Sequence, residues 1–182
     1  MIQVALIDAV GPGALERLVA RLVTTFHTEV SVYTPPVDVR AAMDVRRGQY
    51  NSTTLLAELL KHVSPVGDTR LVAVTDLDLF VPILTFVFGE AQLDGRVAII
   101  STHRLRQAFY GLPDDPELLL ERLEKEAVHE LGHTFGLLHC SDYECVMHSS
   151  TSVEGVDIKG AQLCADCQAQ VQRTDVNTRF HP

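Results

Sequence analysis

The chain has 182 residues, 46% of them hydrophobic and 21% charged, with a formal net charge of −9 at pH 7. That length suits one globular domain with a real core, and the composition is neither that of a disordered chain nor of a fibrous one. An acidic balance without a basic stripe argues against a nucleic-acid partner, and no apolar run reaches the roughly eighteen residues needed to span a bilayer.

Residues 2–8 (IQVALID) read as a strand, followed by the turn chemistry of GPG at 11–13. From Ala14 to Phe26, Leu15, Leu18, Val19, Leu22, Val23 and Phe26 recur at helical spacing, which predicts an amphipathic helix. Glu29 to Tyr33 alternates as a second strand and is stopped by Pro35 and Pro36. Residues 37–50 show no period and are expected to form a loop, with Arg46 and Arg47 in solvent. Asn51 or Ser52 suits the cap of a second helix running to about His62, with Leu55, Leu56, Leu59 and Leu60 turned inward. Residues 70–75 (RLVAVT) are apolar enough for a central strand, and Asp76 and Asp78 just beyond are expected in a solvated turn.

Strand–helix–strand–helix–strand implies a twisted sheet with parallel members and right-handed crossovers. Two further β-like runs, 84–88 (LTFVF) and 96–101 (RVAIIS), flank GEAQLDG and could pair as a hairpin. The loop 111–116 then leads into a long helix starting near Pro116, favoured by proline in the first turn and by Glu117. Leu119, Leu120, Leu123, Ala127, Leu131 and Phe135 form its buried face.

At the edge of that face lies HELGHTFGLLH. His129 and His133 are four residues apart, so on a helix both imidazoles project from nearly one side and can share a zinc ion. Glu130, beside the first ligand, is placed to act as general base towards a water molecule. Gly136 can adopt the left-handed conformation that ends a helix and turns the chain, which lets His139 return to the metal from the other side. Three neutral imidazoles with an open fourth position describe a catalytic zinc site rather than a structural one. An amphipathic helix with surface histidines and a glycine cap would leave His139 unexplained.

All four cysteines follow: Cys140 and Cys145 as C-x4-C, Cys164 and Cys167 as C-x-x-C. Two disulfides suit a secreted chain, and a redox pair suits a thioredoxin-like context, which is missing around Cys164. Met1 leads straight into a strand-like segment without a basic leader, so a reducing, cytoplasmic setting is expected, which favours a four-thiolate structural zinc.

HELGHTFGLLHC, then Cys145, Met147 and CADC, resemble the archaemetzincin family, a branch of the metzincin zinc metallopeptidases. The stretches RRGQYNSTTLLAELL, VTDLDLFVPILTFVFGEAQLDGRVAIIST and RLRQAFYG also look like this family, so the likeness covers nearly the whole chain. One departure is the stretch between Met147 and Cys164, a residue shorter than the family pattern. The resemblance implies an α/β (α+β) fold in a single domain of residues 1–182, with a sheet-and-helix upper part (1–135) and a C-terminal part (136–182). It implies a mixed twisted sheet with an antiparallel rim strand, here about Gly89 to Ala98, and an irregular cysteine-rich end. It implies one catalytic zinc on His129, His133 and His139, Glu130 as base, Met147 beneath the site, and a second, structural zinc on Cys140, Cys145, Cys164 and Cys167.

The expected activity is hydrolysis of peptides or unfolded protein by a monomer without membrane or nucleic-acid partners. The alternatives are a low-turnover or inactive peptide-binding protein that keeps the cleft, and a zinc-stabilised interaction module, which leaves the histidines without a role. Among the weaker candidates, His148 is expected at the surface or behind the ligands, and Tyr143 in local packing. His27, His62, His103 and His181 are expected at the surface.

Overall fold

In a computed structural model of the chain, residues 1–7, 13–63 and 67–179 are described, those from 174 onward as backbone only. Most of the expected GPG turn, and His181, lie outside the described residues. In chain order the elements are β1 (Ile2–Leu6), α1 (Ala14–Phe26), β2 (Val30–Tyr33), β3 (Met43–Asp44), β4 (Gln49–Asn51) and α2 (Ser52–Leu60). There follow β5 (Arg70–Thr75), β6 (Leu79–Phe80), β7 (Gly89–Ala91), β8 (Val97–Ser101), α3 (Pro116–Thr134), α4 (Val153–Ile158) and α5 (Ala165–Arg179).

The main sheet has the order β2-β1-β5-β8-β7, parallel except for β7, which runs antiparallel to β8 at the edge. Strand alternation sorts its side chains into two cores. Val72, Val74, Ala98 and Ile100 pack with Leu18 and Leu22 of α1 and with Leu123, Ala127 and Leu131 of α3. Leu71, Ala73, Val97 and Ile99 face Leu55, Leu56 and Leu59 of α2. Burial on both faces explains why RLVAVT and VAIIS are almost continuously apolar. Asn51 caps α2 by accepting from Thr54 N at 2.8 Å, and Asp115 caps α3 by accepting from Leu118 N at 3.0 Å. Arg17 and Arg21 each reach Glu124 at 3.1 Å, tying α1 to α3. No described helix is long and apolar enough to cross a membrane.

Three expectations need correction. Residues 37–50 are not a plain loop: a 3-10 turn (Arg40–Ala42), β3 and β4 join β6 in a second, three-stranded sheet. Arg46 and Arg47 are both exposed, as expected, and Arg47 in addition stacks 4.0 Å over Phe80 and donates to the carbonyls of Leu84 and Thr85, both at 2.8 Å. Asp78 is half-buried rather than in solvent, being held by Arg104 at 2.6 Å and Gln49 at 3.0 Å, while Asp76 is exposed as expected and binds Thr102 and Arg106. Residues 84–88 form no strand beyond an isolated bridge of Val87 to Leu79: Arg47 takes the carbonyls of Leu84 and Thr85, and Phe86 and Phe88 fold into a cluster with Leu105, Val153 and Val156. The hairpin partner of β8 is β7, inside the segment expected as the rim. The C-terminal part is cysteine-rich and irregular from 137 to 152, after which α4 lies between the two cysteine pairs and α5 carries Cys167.

Candidate metal centre and cleft

The end of α3 shows how the third histidine is delivered. Gly136, at φ 82°, stands just past the helix, with its N–H on the carbonyl of His133 (2.9 Å) and that of Leu137 on the carbonyl of Gly132 (3.1 Å). This pair of bonds is the Schellman motif, in which a left-handed glycine closes the last turn and reverses the chain. His139 comes back from that reversal: one nitrogen from each of His129, His133 and His139 lies within 4.8 Å of the others.

The ring orientations are fixed from behind. His129 Nδ1 lies 2.9 Å from the Val146 carbonyl and His133 Nδ1 lies 2.7 Å from that of Leu137, so each donates its Nδ1 proton there. Their Nε2 atoms converge at 3.2 Å. Ligands about 2.0 Å from a tetrahedral zinc stand roughly 3.3 Å apart, so this spacing fits the ion. Burial, the largest cause, holds the pKa of His129 well below the usual imidazole value, with the Lys159 charge adding to it; His133 and His139 are lowered in the same sense, also mainly by burial. The rings are therefore neutral ligands under mild conditions.

Met147 is fully buried beneath the histidines. Its Sδ stands 2.5 Å from where a β-carbon on Gly132 would be, so that glycine in the last turn of α3 makes room for the thioether between His129 and His133. The four cysteine sulfurs also lie within 4.8 Å of one another, with Cys140 and Cys164 at 3.8 Å. Zinc–thiolate bonds of about 2.3 Å give tetrahedral edges near 3.8 Å, which matches. Burial raises the thiol pKa of Cys145 and Cys167, so the fold alone does not stabilise four thiolates; a dication fits this donor set. Cys140 N donates to the Met147 carbonyl at 3.0 Å, and His148 Nδ1 lies 3.0 Å from the Cys140 carbonyl, which closes the loop against the floor of the histidine site. Tyr143, 72% exposed, lays its ring against that of His148, with centroids 4.5 Å apart.

Glu130 faces a cleft of about 530 Å³ lined by Leu84 to Ala91, the three histidines, Ser149 to Thr151 and Lys159. It is 6% exposed and lies against the rim strand at Gly89. Burial pushes its carboxyl well above the usual carboxylate range; Glu126 and Glu90 add to this and Lys159 opposes it. A cation on the adjacent imidazoles acts in the lowering direction. Glu90 accepts from Ser52 at 2.5 Å and Thr53 at 2.8 Å, and so anchors β7 to α2.

Sequence reasoning missed Gly89, Gly132, Glu126 and Lys159. The polar residue Glu126 inside an apolar helical stripe was a signal for the last pair. Of the other histidines, His27 is exposed, His62 is half-buried, and His103 is half-buried against Phe109.

Residues 27–173 match the family model of peptidase family M54. The chain is 42% identical over 139 residues to an archaemetzincin of Methanocaldococcus jannaschii, covering 76% of this chain and 75% of that protein. The crystal structure of archaemetzincin from Methanopyrus kandleri superposes with a TM-score of 0.82 at 37% identity, covering 96% and 94% of the two chains. A zinc-dependent peptidase from Methanocorpusculum labreanum superposes with a TM-score of 0.83 at 28% identity, over 94% of this chain and 100% of that one.

Proposed function

We propose that this chain, which belongs to the archaemetzincin family of zinc metallopeptidases, hydrolyses peptide bonds with Glu130 as general base beside a three-histidine zinc, and carries a second, structural zinc on its cysteines. The observation that carries this reading is the convergence of the Nε2 atoms of His129 and His133 at 3.2 Å, with Glu130 lining the same cleft. When bound there, zinc supplies Lewis acidity, which polarises a carbonyl and lowers the pKa of a water molecule.

The protein's own groups do the rest. Glu130 takes a proton from water and passes it to the leaving amine. The rim strand holds the substrate in extended form. Phe88 O accepts from Ser101 N (2.8 Å) and Gln92 N donates to Val97 O (3.0 Å), so alternation turns the backbone groups of Gly89 and Ala91 towards the open edge. Pairing to those groups gives affinity with little demand on sequence.

The same reading treats residues 1–182 as one metallopeptidase domain, because Cys145, Val146, Met147 and Val171 share the core of Val72, Ile100 and Leu131. It places a monomer in a reducing, cytoplasmic setting, supported by four thiols gathered around one point, and the net charge of −9 supports the expectation of no nucleic-acid partner. The cover over Glu130 favours one alternative, a cleft that binds peptides and turns over slowly.

Native mass spectrometry and a chelator test the proposal together. Two zinc ions per chain, and peptide cleavage lost on chelation and restored by zinc, are expected. One zinc per chain, or cleavage that survives chelation, would overturn it.

A further inference from the structure

The cleft holds a buried ion pair that the proposed chemistry leaves unused. Lys159 Nζ lies 2.8 Å from Glu126 Oε1, with side chains 1% and 5% exposed, and both residues line the cleft beside His129. An ammonium carries three donors. Among the described residues the other polar atom near Nζ is His129 Nδ1 at 3.4 Å, which is no acceptor, because it gives its own proton to the Val146 carbonyl. The described residues therefore leave N–H groups of Lys159 available to a bound molecule, next to a carboxylate with room for a further donor.

A buried pair with so few hydrogen bonds contributes less to stability than apolar side chains of the same volume. Its position is nonetheless fixed from several sides. Lys125 Nζ donates to the carbonyls of Val156 (3.0 Å) and Asp157 (2.8 Å), and Arg122 clamps the Asp157 carboxylate at 2.6 and 2.7 Å. Gly160 sits so close to the Glu144 carbonyl that no β-carbon fits there. Lys159 is thus held where a recognition group benefits from rigidity.

We propose that Lys159 and Glu126 form a specificity subsite for an uncharged side chain ending in a carboxamide, glutamine or asparagine, at the substrate residue next to the scissile bond. A donor beside an acceptor is the complement of an amide: the carbonyl oxygen accepts from Lys159 and the amide nitrogen donates to Glu126. A carboxylate meets Glu126, an ammonium meets Lys159, and an apolar side chain leaves the donors unpaired. The assignment rests on the zinc-cleft reading for the place of the scissile bond.

Calorimetry on the full-length, zinc-loaded protein tests it without requiring turnover. The probes are amino-acid hydroxamates and the matching succinyl hydroxamates, which set glutamine, glutamate, lysine or leucine side chains on either side of the metal; acetohydroxamate is the bare probe. In one of the two series, wild type is expected to bind the glutamine probe at least about tenfold more tightly than the others. Glu126→Gln removes the opposing charge at constant volume and should move the preference to glutamate. The double change Glu126→Leu with Lys159→Met should move it to leucine, each affinity being read relative to the same protein's acetohydroxamate affinity. A wild type that ranks leucine first in both series, or one side-chain order in all three proteins, would overturn the subsite. Loss of acetohydroxamate binding by the wild type itself would instead bring down the zinc-cleft reading, and the subsite with it.

Discussion

The Glu130 side chain fills the notch that Gly89 leaves in the rim strand. A β-carbon on Gly89 would stand 2.6 Å from Glu130 Cγ and 2.8 Å from its Oε1. Gly89→Ala is therefore expected to displace Glu130 and, if the proposed role of that residue holds, lower kcat by about a hundredfold, with smaller change in KM and zinc content retained. In a Glu130→Ala background the same substitution should cost less stability, because the colliding atoms are gone; part of the cost remains, since the Ile99 carbonyl is also 2.8 Å away. Equal destabilisation in both backgrounds, read by thermal melts, would show that the notch serves only strand pairing.

Burial has a separate effect on the metal-free protein. The Glu130 pKa is raised by folding, so its neutral form is favoured in the native state. Such a group gives its full stability below the unfolded carboxyl value of about 4.3 and loses it as pH rises through the folded value. Glu130→Gln should then raise the Tm of the metal-free protein at pH 7 by a few degrees and leave it nearly unchanged at pH 4. The reverse order in a pair of melts would contradict the burial argument.

Gly132→Ala tests the floor of the site. With Met147 Sδ 2.5 Å from the new carbon, helix propensity and packing act in opposite directions. Alanine is worth about 1 kcal/mol over glycine in a helix, whereas overpacking costs about 1–3 kcal/mol. A net loss of stability with weakened zinc retention is expected, and Gly132→Ala combined with Met147→Ala should recover part of both.

Cys140 joins the two metal groups, since it follows His139 directly and its N–H binds the Met147 carbonyl. Cys140→Ser should lower occupancy of the cysteine site and also speed loss of zinc from the histidine site in a chelator competition. Unchanged release from the histidines would separate the two centres.

Much of this architecture was legible in the sequence. The histidine and cysteine spacings carry their own geometry, because a helix fixes where residues four apart must point. Parallel strands buried on both faces announce themselves as apolar runs. Three features needed long-range contacts to become visible. LTFVF has β propensity, yet Arg47, far away in sequence, takes the carbonyls of Leu84 and Thr85, and only an isolated bridge at Val87 remains. Asp78 looks like a turn residue until Arg104 and Gln49 enclose it. Lys159 is followed by glycine and carries no motif, and only the fold sets it beside Glu126.

The central claim is that Glu130 acts on peptide bonds from within a zinc cleft, and one comparison tests it most directly. Zinc-replete wild type and Glu130→Ala are incubated with a diverse peptide mixture, the products read by mass spectrometry and the zinc counted in both proteins. The account predicts new peptide termini with wild type alone and equal zinc in the two proteins. Equal cleavage by both proteins, or none by wild type with its zinc in place, would contradict it.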